Sequence, residues 1–446
     1  MKWFLYNLLF GVVWVFLLPG FLMRMFRRGG YRARMGDRFA LYPADVLARI
    51  RAARPAASGA SARLDSSGHE VAPPLEWVWI HAVSVGEVQV AGQLMREWRK
   101  VEPSVRFCFS TTSSTGWKMA EREVAEGDVL IYNPLDFPNF VKSALATIRP
   151  RAIVLTESEI WPVFIRAAAK RGVPLFLINA RVSDRSAPRY RLAKGWFKDV
   201  FGCFARIFAQ SDLDRDRLVA AGAPSDRVEV TGSFKFDVAR RNEAKEGELR
   251  KWLAGAKGRI LLGGSTWPGE DEVLLRIVKK LDDATLVIAP RHFEKADAVE
   301  ENIRRDGFGC VRRSRGDSAP ADPGAKVVYL ADTTGELMGL YGISDAVFVG
   351  KSLCEHGSQN MIEPCLCGKP TFVGPFTENF RPVMSDLMEG DAIVQVADEA
   401  GLEAEIVRLW NDREAAGALG GRATAAVLRR QGVVAKCIAE IRKSLS

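Results

Sequence analysis

From Trp77 onward the chain alternates short β-branched and aromatic runs with stretches of helical spacing. WVWI (from Trp77), VRFCFS, VLIY, AIVLT, PLFLIN, RIFAQ and VEVTG read as strands. Segments 88–99, 138–147 and 161–170 between them carry apolar residues at helical intervals. The charged stretch ARRNEAKEGELRKW, 239–252, breaks this alternation and reads as a linker or linker helix. The alternation restarts with RILLGG, TLVIAP, KVVYLA, AVFVG, PTFVG and AIVQV. Strands alternating with helices predict parallel sheets in right-handed βαβ units. The expected fold is therefore α/β, with two Rossmann-like doubly wound domains around a cleft and ligands at the carboxyl ends of the strands.

The expected boundaries are an N-terminal domain over 29–238, a linker over 239–257 and a C-terminal domain over 258–425. An amphipathic last segment, 426–446, packs back towards the N-terminal domain. Residues 52–74 are rich in Ala, Ser, Pro and Gly without apolar periodicity and read as a flexible surface insertion. Residues 3–23 carry no charge, about the ~20 residues that cross a ~30 Å hydrocarbon layer. Arg24, Arg27, Arg28, Arg32, Arg34 and Arg38 follow at once. This reads as an uncleaved membrane anchor over 1–28, with its basic collar on the cytoplasmic side. A cleaved signal peptide would carry its positive charge before the apolar run and a small-residue site after it.

Composition narrows the chemistry. With 48% hydrophobic and 26% charged residues, the 446-residue chain is neither disordered nor a disulfide framework. The seven cysteines form no CxxC pair, which points to a reducing compartment. The net charge of +9 suits an anionic partner. Basic residues interspersed with acidic ones, without an aromatic-interleaved stripe, argue against nucleic acid. Neither GxGxxG nor a Walker A sequence is present. Without an HExxH or clustered His/Cys spacing, no metal site is expected.

Four groups of strand-end residues hold candidate chemistry. In HAVSVGE, Glu87 opens a helix, either as a proton acceptor or as an acid favoured by the helix dipole. In TESEIWP, Glu157 and Glu159 either position a hydroxyl or cation or cap the next helix. NARVSDRS brings Arg181 and Arg185 to the same region, as anion ligands or as a solvated loop. In TGSFKFD, Lys235 either stabilises developing charge or is an exposed lysine. The second half offers GGSTWPGE, APRH with Arg291 as a bidentate fork, TTGEL, and HGSQN leading into a helix near Asn360.

Together HAVSVGE, STTSSTGW, YNPLD, TESEIWP, NARVSDRS, TGSFKFD, GGST, APRH, TTGEL and HGSQNMIEPCLCGKPTFVGPFTENF resemble, in order and over nearly the whole chain, the 3-deoxy-D-manno-octulosonic acid (Kdo) transferase family. The resemblance implies a GT-B glycosyltransferase that moves Kdo from CMP-Kdo to a lipid A precursor at the inner membrane's cytoplasmic face. It implies anionic membrane lipids as partners and no metal cofactor. By motif, Glu87 looks like the general base of an inverting displacement, and Glu157 and Lys235 like stabilisers of the transition state. Pro290 with Arg291, Gly335, Glu336 and Leu337, and Asn360, Met361, Ile362 and Glu363 match the CMP-binding segments. The chain departs from the family at Trp267 and Pro268, where His and Glu are usual, and at Ser358 and Gln359 in the glycine-rich HGGHN pattern. Another nucleotide-sugar transferase or an epimerase of the same fold is the competing enzyme. A membrane-tethered polyanion binder is the non-enzymatic alternative.

Overall fold

The computed structural model describes residues 32–52, 63–64, 70–71, 75–238, 241–317 and 326–445, with Trp3, Tyr6, Asn7, Phe10–Val12, Phe16, Gly20 and Met23. The chain divides into two compact units, residues 1–234 with 432–446, and residues 235–431.

The first unit is built on seven parallel strands. These are β1 (Leu75–His81), β2 (Arg106–Thr111), β3 (Val129–Tyr132), β4 (Pro150–Thr156), β5 (Leu175–Ala180), β6 (Arg206–Ala209) and β7 (Val228–Val230). Their order is β3-β2-β1-β4-β5-β6-β7. The strands are apolar runs rather than alternating ones because helices cover both faces. Trp77, Val78, Trp79 and Ile80 of β1 are all fully buried. On one face lies the helix Val85–Val101, against which the C-terminal helix Val433–Lys443 packs through Val434, Cys437 and Ile441. Gly432, with φ 92°, turns the chain between that helix and the preceding one, Arg413–Arg429.

The second unit repeats the plan. Its strands are β8 (Arg259–Thr266), β9 (Ala284–Pro290), β10 (Gly309–Arg312), β11 (Val327–Leu330), β12 (Ala346–Val349), β13 (Thr371–Val373) and β14 (Val394–Gln395). All are parallel, in the order β10-β11-β9-β8-β12-β13-β14. The sequence pattern missed β10, whose four residues GCVR include one that is fully buried against the sheet. The stretch expected to link the domains contains the helix Glu243–Trp252, which belongs to this unit. Asn242 caps it, and Leu249 is buried in the unit's core. It lies so close to the helix Leu337–Ile343 that a Cβ on Gly339 would sit 2.9 Å from Leu249 Cδ1.

Most of the expected anchor, 1–28, and most of the expected insertion, 52–74, lie outside the described residues. Among the described residues no helix is long and apolar enough to cross a membrane. Those of the first segment reach the first unit: Trp3 meets Trp196 edge-on, Tyr6 Oη donates to Asp136, and Phe10 meets Phe137. In the insertion, Arg63–Leu64 and Glu70–Val71 pair as a two-residue antiparallel ladder.

Candidate active site

In a doubly wound sheet, ligands bind where the order of strands reverses, beyond the carboxyl ends of the two strands concerned. In the first unit those strands are β1 and β4, which are hydrogen-bonded neighbours. HAVSVGE follows β1 and TESEIWP follows β4, so topology brings Glu87, Glu157 and Glu159 to one place.

Glu87 sits in the first turn of the helix Val85–Val101 and is tied to the N-cap Ser84. Its backbone N–H donates to Ser84 Oγ at 3.2 Å, and Ser84 Oγ donates back to Glu87 Oε1 at 2.7 Å. Val83 N donates to Oε2 at 3.0 Å, and Thr156 Oγ1 at the end of β4 lies 3.0 Å from that oxygen. The capping reading of Glu87 is thus realised in the structure. The same bonds fix the carboxylate at the switch point.

Glu157 holds φ 51°, a left-handed conformation that an L side chain adopts at a cost of about 1–3 kcal/mol. Its carboxylate accepts from Arg181 Nε at 2.7 Å and from Asn179 Nδ2 at 3.3 Å. Asn179, itself at φ 52°, also accepts from Phe234 N through its side-chain oxygen. Glu157 is therefore a positioned anion with a cation on it, not a cap. The helix Pro162–Lys170 takes its cap from YNPLD instead: Asp136 accepts from Val163 N at 3.0 Å and Phe164 N at 2.7 Å. Burial raises the Asp136 carboxyl to about 6 against those bonds.

Beside them Glu159 accepts from Trp161 Nε1 at 2.9 Å. Burial first, then the neighbouring Glu87 and Glu157 charges, push its carboxyl up to about 7. Behind it His81 is fully buried, and that burial brings its imidazole down to about 4. Glu159 shared with Glu157 the expectation of positioning a hydroxyl or cation or capping the next helix; its raised carboxyl was not legible, because the groups that cause it come from other segments of the chain.

In the second unit the reversal falls between β8 and β12, again adjacent strands. GGSTWPGE follows β8, and KSLCEHGSQN follows β12. Glu270, fully buried, ties the two loops together. Its Oε2 accepts from Trp267 N at 2.8 Å and Lys351 N at 2.9 Å, and its Oε1 from Ser352 N and Leu353 N at 3.2 Å each. Burial raises its pKa, opposed by those N–H groups. The sequence offered no sign of this hub, since Lys351, Ser352 and Leu353 lie about eighty residues away. A cavity of about 110 Å³ opens beside it, lined by Trp267, Pro268, Pro290, His292, Lys295 and Asn302 among others. Trp267 also stacks edge-on with His292 and lies under Lys351 Nζ, 4.7 Å from its ring centre.

The expected nucleotide residues all follow strands whose carboxyl ends share this edge, but their side chains differ in availability. Arg291 is exposed, with its N–H bonded to Thr266 O at 3.0 Å, next to the half-buried Pro290. Met361 and Ile362 are fully buried in the core, so only their backbone can face a ligand. Leu337 packs against that core as well. Glu336 opposes its own burial through a 3.0 Å pair with Arg313, which holds its carboxyl below the usual range, after Gly335 turns the chain at φ 81°. Asn360 Oδ1 accepts from Ile362 N at 3.1 Å, and its Nδ2 donates to Glu363 at 3.0 Å. Burial pushes the Glu363 carboxyl up. Ser358, where the family pattern has glycine, holds φ 60°, which explains why glycine suits that position. Lys235, the first residue of this unit, places Nζ 4.0 Å from the Phe380 ring centre. Among the described residues no group of three or more His, Cys, Asp or Glu is placed to hold a metal ion.

Comparison with known proteins supplies the lineage. The family model for 3-deoxy-D-manno-octulosonic-acid transferase (kdotransferase) matches residues 33–238. The 3-deoxy-D-manno-octulosonic acid transferase of Haemophilus influenzae is 30% identical over 83% of this chain and 88% of its own length. That of Bordetella pertussis is 34% identical over 76% of this chain and 81% of its own. The chain belongs to the Kdo transferase family. It is therefore a glycosyltransferase. Among solved structures, Anabaena HepE in complex with UDP is similar at a TM-score of 0.56, with 14% identity over 82% of this chain and 99% of that one. A glycosyltransferase from Rickettsia africae is similar at a TM-score of 0.55, with 13% identity over 83% and 98%. These two share the fold alone: two Rossmann-like parallel-sheet domains, as in GT-B glycosyltransferases.

Proposed function

We propose that this Kdo transferase family member moves Kdo from CMP-Kdo to a lipid A precursor by an inverting single displacement, with Glu87 as general base. The observation that carries the reading is Glu87 itself, fixed by hydrogen bonds to Val83 and Ser84 at the switch point of the first sheet. A carboxylate so held takes the acceptor hydroxyl's proton as the new C–O bond forms and the bond to CMP breaks. Glu157, with Arg181 paired to it, and Lys235 are assigned to the charge that develops in that step. The nucleotide belongs with the second unit, where Arg291 offers a fork for the phosphodiester and the segments at 335–337 and 360–363 offer backbone groups.

The residues in hand supply cations and N–H groups for a leaving cytidylate, and the proposal needs no metal. Residues 1–28 are assigned to a single anchor in the inner membrane, with its arginine collar among anionic lipids on the cytoplasmic side. Trp267 and Pro268 line the cavity beside Glu270 where the family usually carries His and Glu, which favours keeping a different nucleotide sugar as the second reading.

The test is to incubate the purified chain with a tetraacylated lipid A precursor and either CMP-Kdo or UDP-sugars, then weigh the lipid product by mass spectrometry. A gain of Kdo mass with CMP-Kdo alone is the expected result. A product formed only from a UDP-sugar overturns the donor assignment.

A further inference from the structure

The residues around Glu87 include one pair that the proposed transfer leaves without a part. His81 closes β1 and is fully buried. Its Nδ1 lies 3.1 Å from the carbonyl oxygen of Ser110, which can only accept, and 2.9 Å from Ser110 Oγ, whose own proton has Ile80 O and Asn133 Oδ1 as acceptors, so the network puts the imidazole proton on Nδ1. That leaves Nε2 as a bare acceptor, and it has no hydrogen-bond partner. An unpaired acceptor in a sealed interior costs about 1–3 kcal/mol. The polar atom in front of it is Glu159 Oε2, 3.8 Å away. An ionised carboxylate there would set lone pair against lone pair, whereas an acid O–H satisfies Nε2 after a small side-chain rotation.

The remaining charges on this carboxyl act in the same sense. Glu159 shares the switch point with Glu87 from the helix Val85–Val101 and with Glu157 from its own loop. Arg181 is committed to Glu157. From the helix Ala187–Leu192, Tyr190 adds no cation and is itself pushed up by burial and by the Glu159 charge. Trp161 donates one neutral hydrogen bond. Only a minor part of the Glu159 side chain, 18%, reaches solvent, which leaves its proton a route to water.

We propose that Glu159 is a positioning residue for the transfer: as the acid it donates to His81 Nε2, and on losing that proton it places a second negative charge beside Glu87 and strengthens Glu87 as a base. This rests on the assignment of Glu87 as general base. Glu159 takes no part in the bond exchange. Glu87 receives the acceptor's proton, CMP leaves with the bonding electrons, and the Glu159 proton exchanges with water. Two carboxylates sharing a site raise each other's proton affinity, and the base strength gained translates into rate by Brønsted behaviour.

The experiment compares the pH dependence of kcat for the full-length wild type and E159Q, with KM for CMP-Kdo measured alongside. The amide of E159Q stays neutral and keeps the side chain's shape; a small rotation lets its NH2 donate to His81 Nε2 while its oxygen accepts from Trp161 Nε1. The wild-type kcat is expected to rise about 3- to 10-fold as pH passes 7. E159Q stays at the lower plateau with KM unchanged. In parallel, infrared difference spectra should show a protonated-carboxyl band in the wild type that fades over the same range and is missing from E159Q. An active E159Q that follows the wild-type profile, or a wild type without that band, overturns the inference and leaves the Kdo reading standing. A wild type that moves no Kdo overturns the reading and the inference together.

Discussion

The carboxyls of this protein divide by what holds them. Glu87 and Glu157 are each met by several donors, and Asp136 caps a helix, whereas Glu159 has the single donor Trp161 Nε1 and otherwise faces the His81 imidazole and other acids. The difference has a sign that stability reads directly. Glu159 is raised to about 7 and Asp136 to about 6, so between the ordinary carboxylate range and those values the folded chain binds more protons than the unfolded one. Stability is then present below the unfolded values and is lost as pH climbs through about 6 and 7. E159Q removes one of these two groups. Its melting temperature is expected to match the wild type near pH 4 and to exceed it at pH 8, the gap reflecting roughly 1–3 kcal/mol. Scanning calorimetry at the two pH values checks this, and an equal gap at both contradicts it. Glu87 was legible in the sequence because its motif carries its own cap. Glu159 was legible only as a partner of Glu157, and Glu270 only as part of GGSTWPGE, because what sets them apart is a neighbour from a distant strand or loop.

Among the elements, the strands were the most legible, since continuous apolar runs such as WVWI have little choice but a sheet covered on both faces. β10 escaped notice because GCVR is short and mostly only half-buried. The helix Glu243–Trp252 was recognisable as a charged interruption, but its place in the second unit depends on small residues elsewhere. Gly339 lets it approach the helix Leu337–Ile343, since a side chain there meets Leu249 and Lys245 at 2.9 Å. A Gly339→Val substitution should separate the two helices and destabilise the protein by about 1–3 kcal/mol. A urea transition shows this as a lower midpoint with an unaltered slope, and an unchanged midpoint would remove the close approach from the account. The candidate loops were legible because each follows an apolar strand run; that two of them meet at a switch point in each unit follows from the strand order of the structure.

At the scale of the molecule, each unit carries its own sheet and its own apolar core, and the chain passes between the units near 234 and again near 431. The last helix returns to the first unit and buries Val434, Cys437 and Ile441 there. The net charge of +9 suits the carboxylate, phosphodiester and lipid phosphates of the proposed substrates. What unites these features is a single chemical assignment, that the carboxylate of Glu87 removes the acceptor's proton. Glu87→Gln keeps the shape of the side chain beside Ser84 and removes the base. The decisive measurement is single-turnover Kdo transfer by E87Q beside CMP binding by calorimetry. The account predicts a CMP affinity like that of the wild type and a transfer rate about 10²- to 10⁴-fold lower. Transfer by E87Q at a rate near the wild type would contradict it.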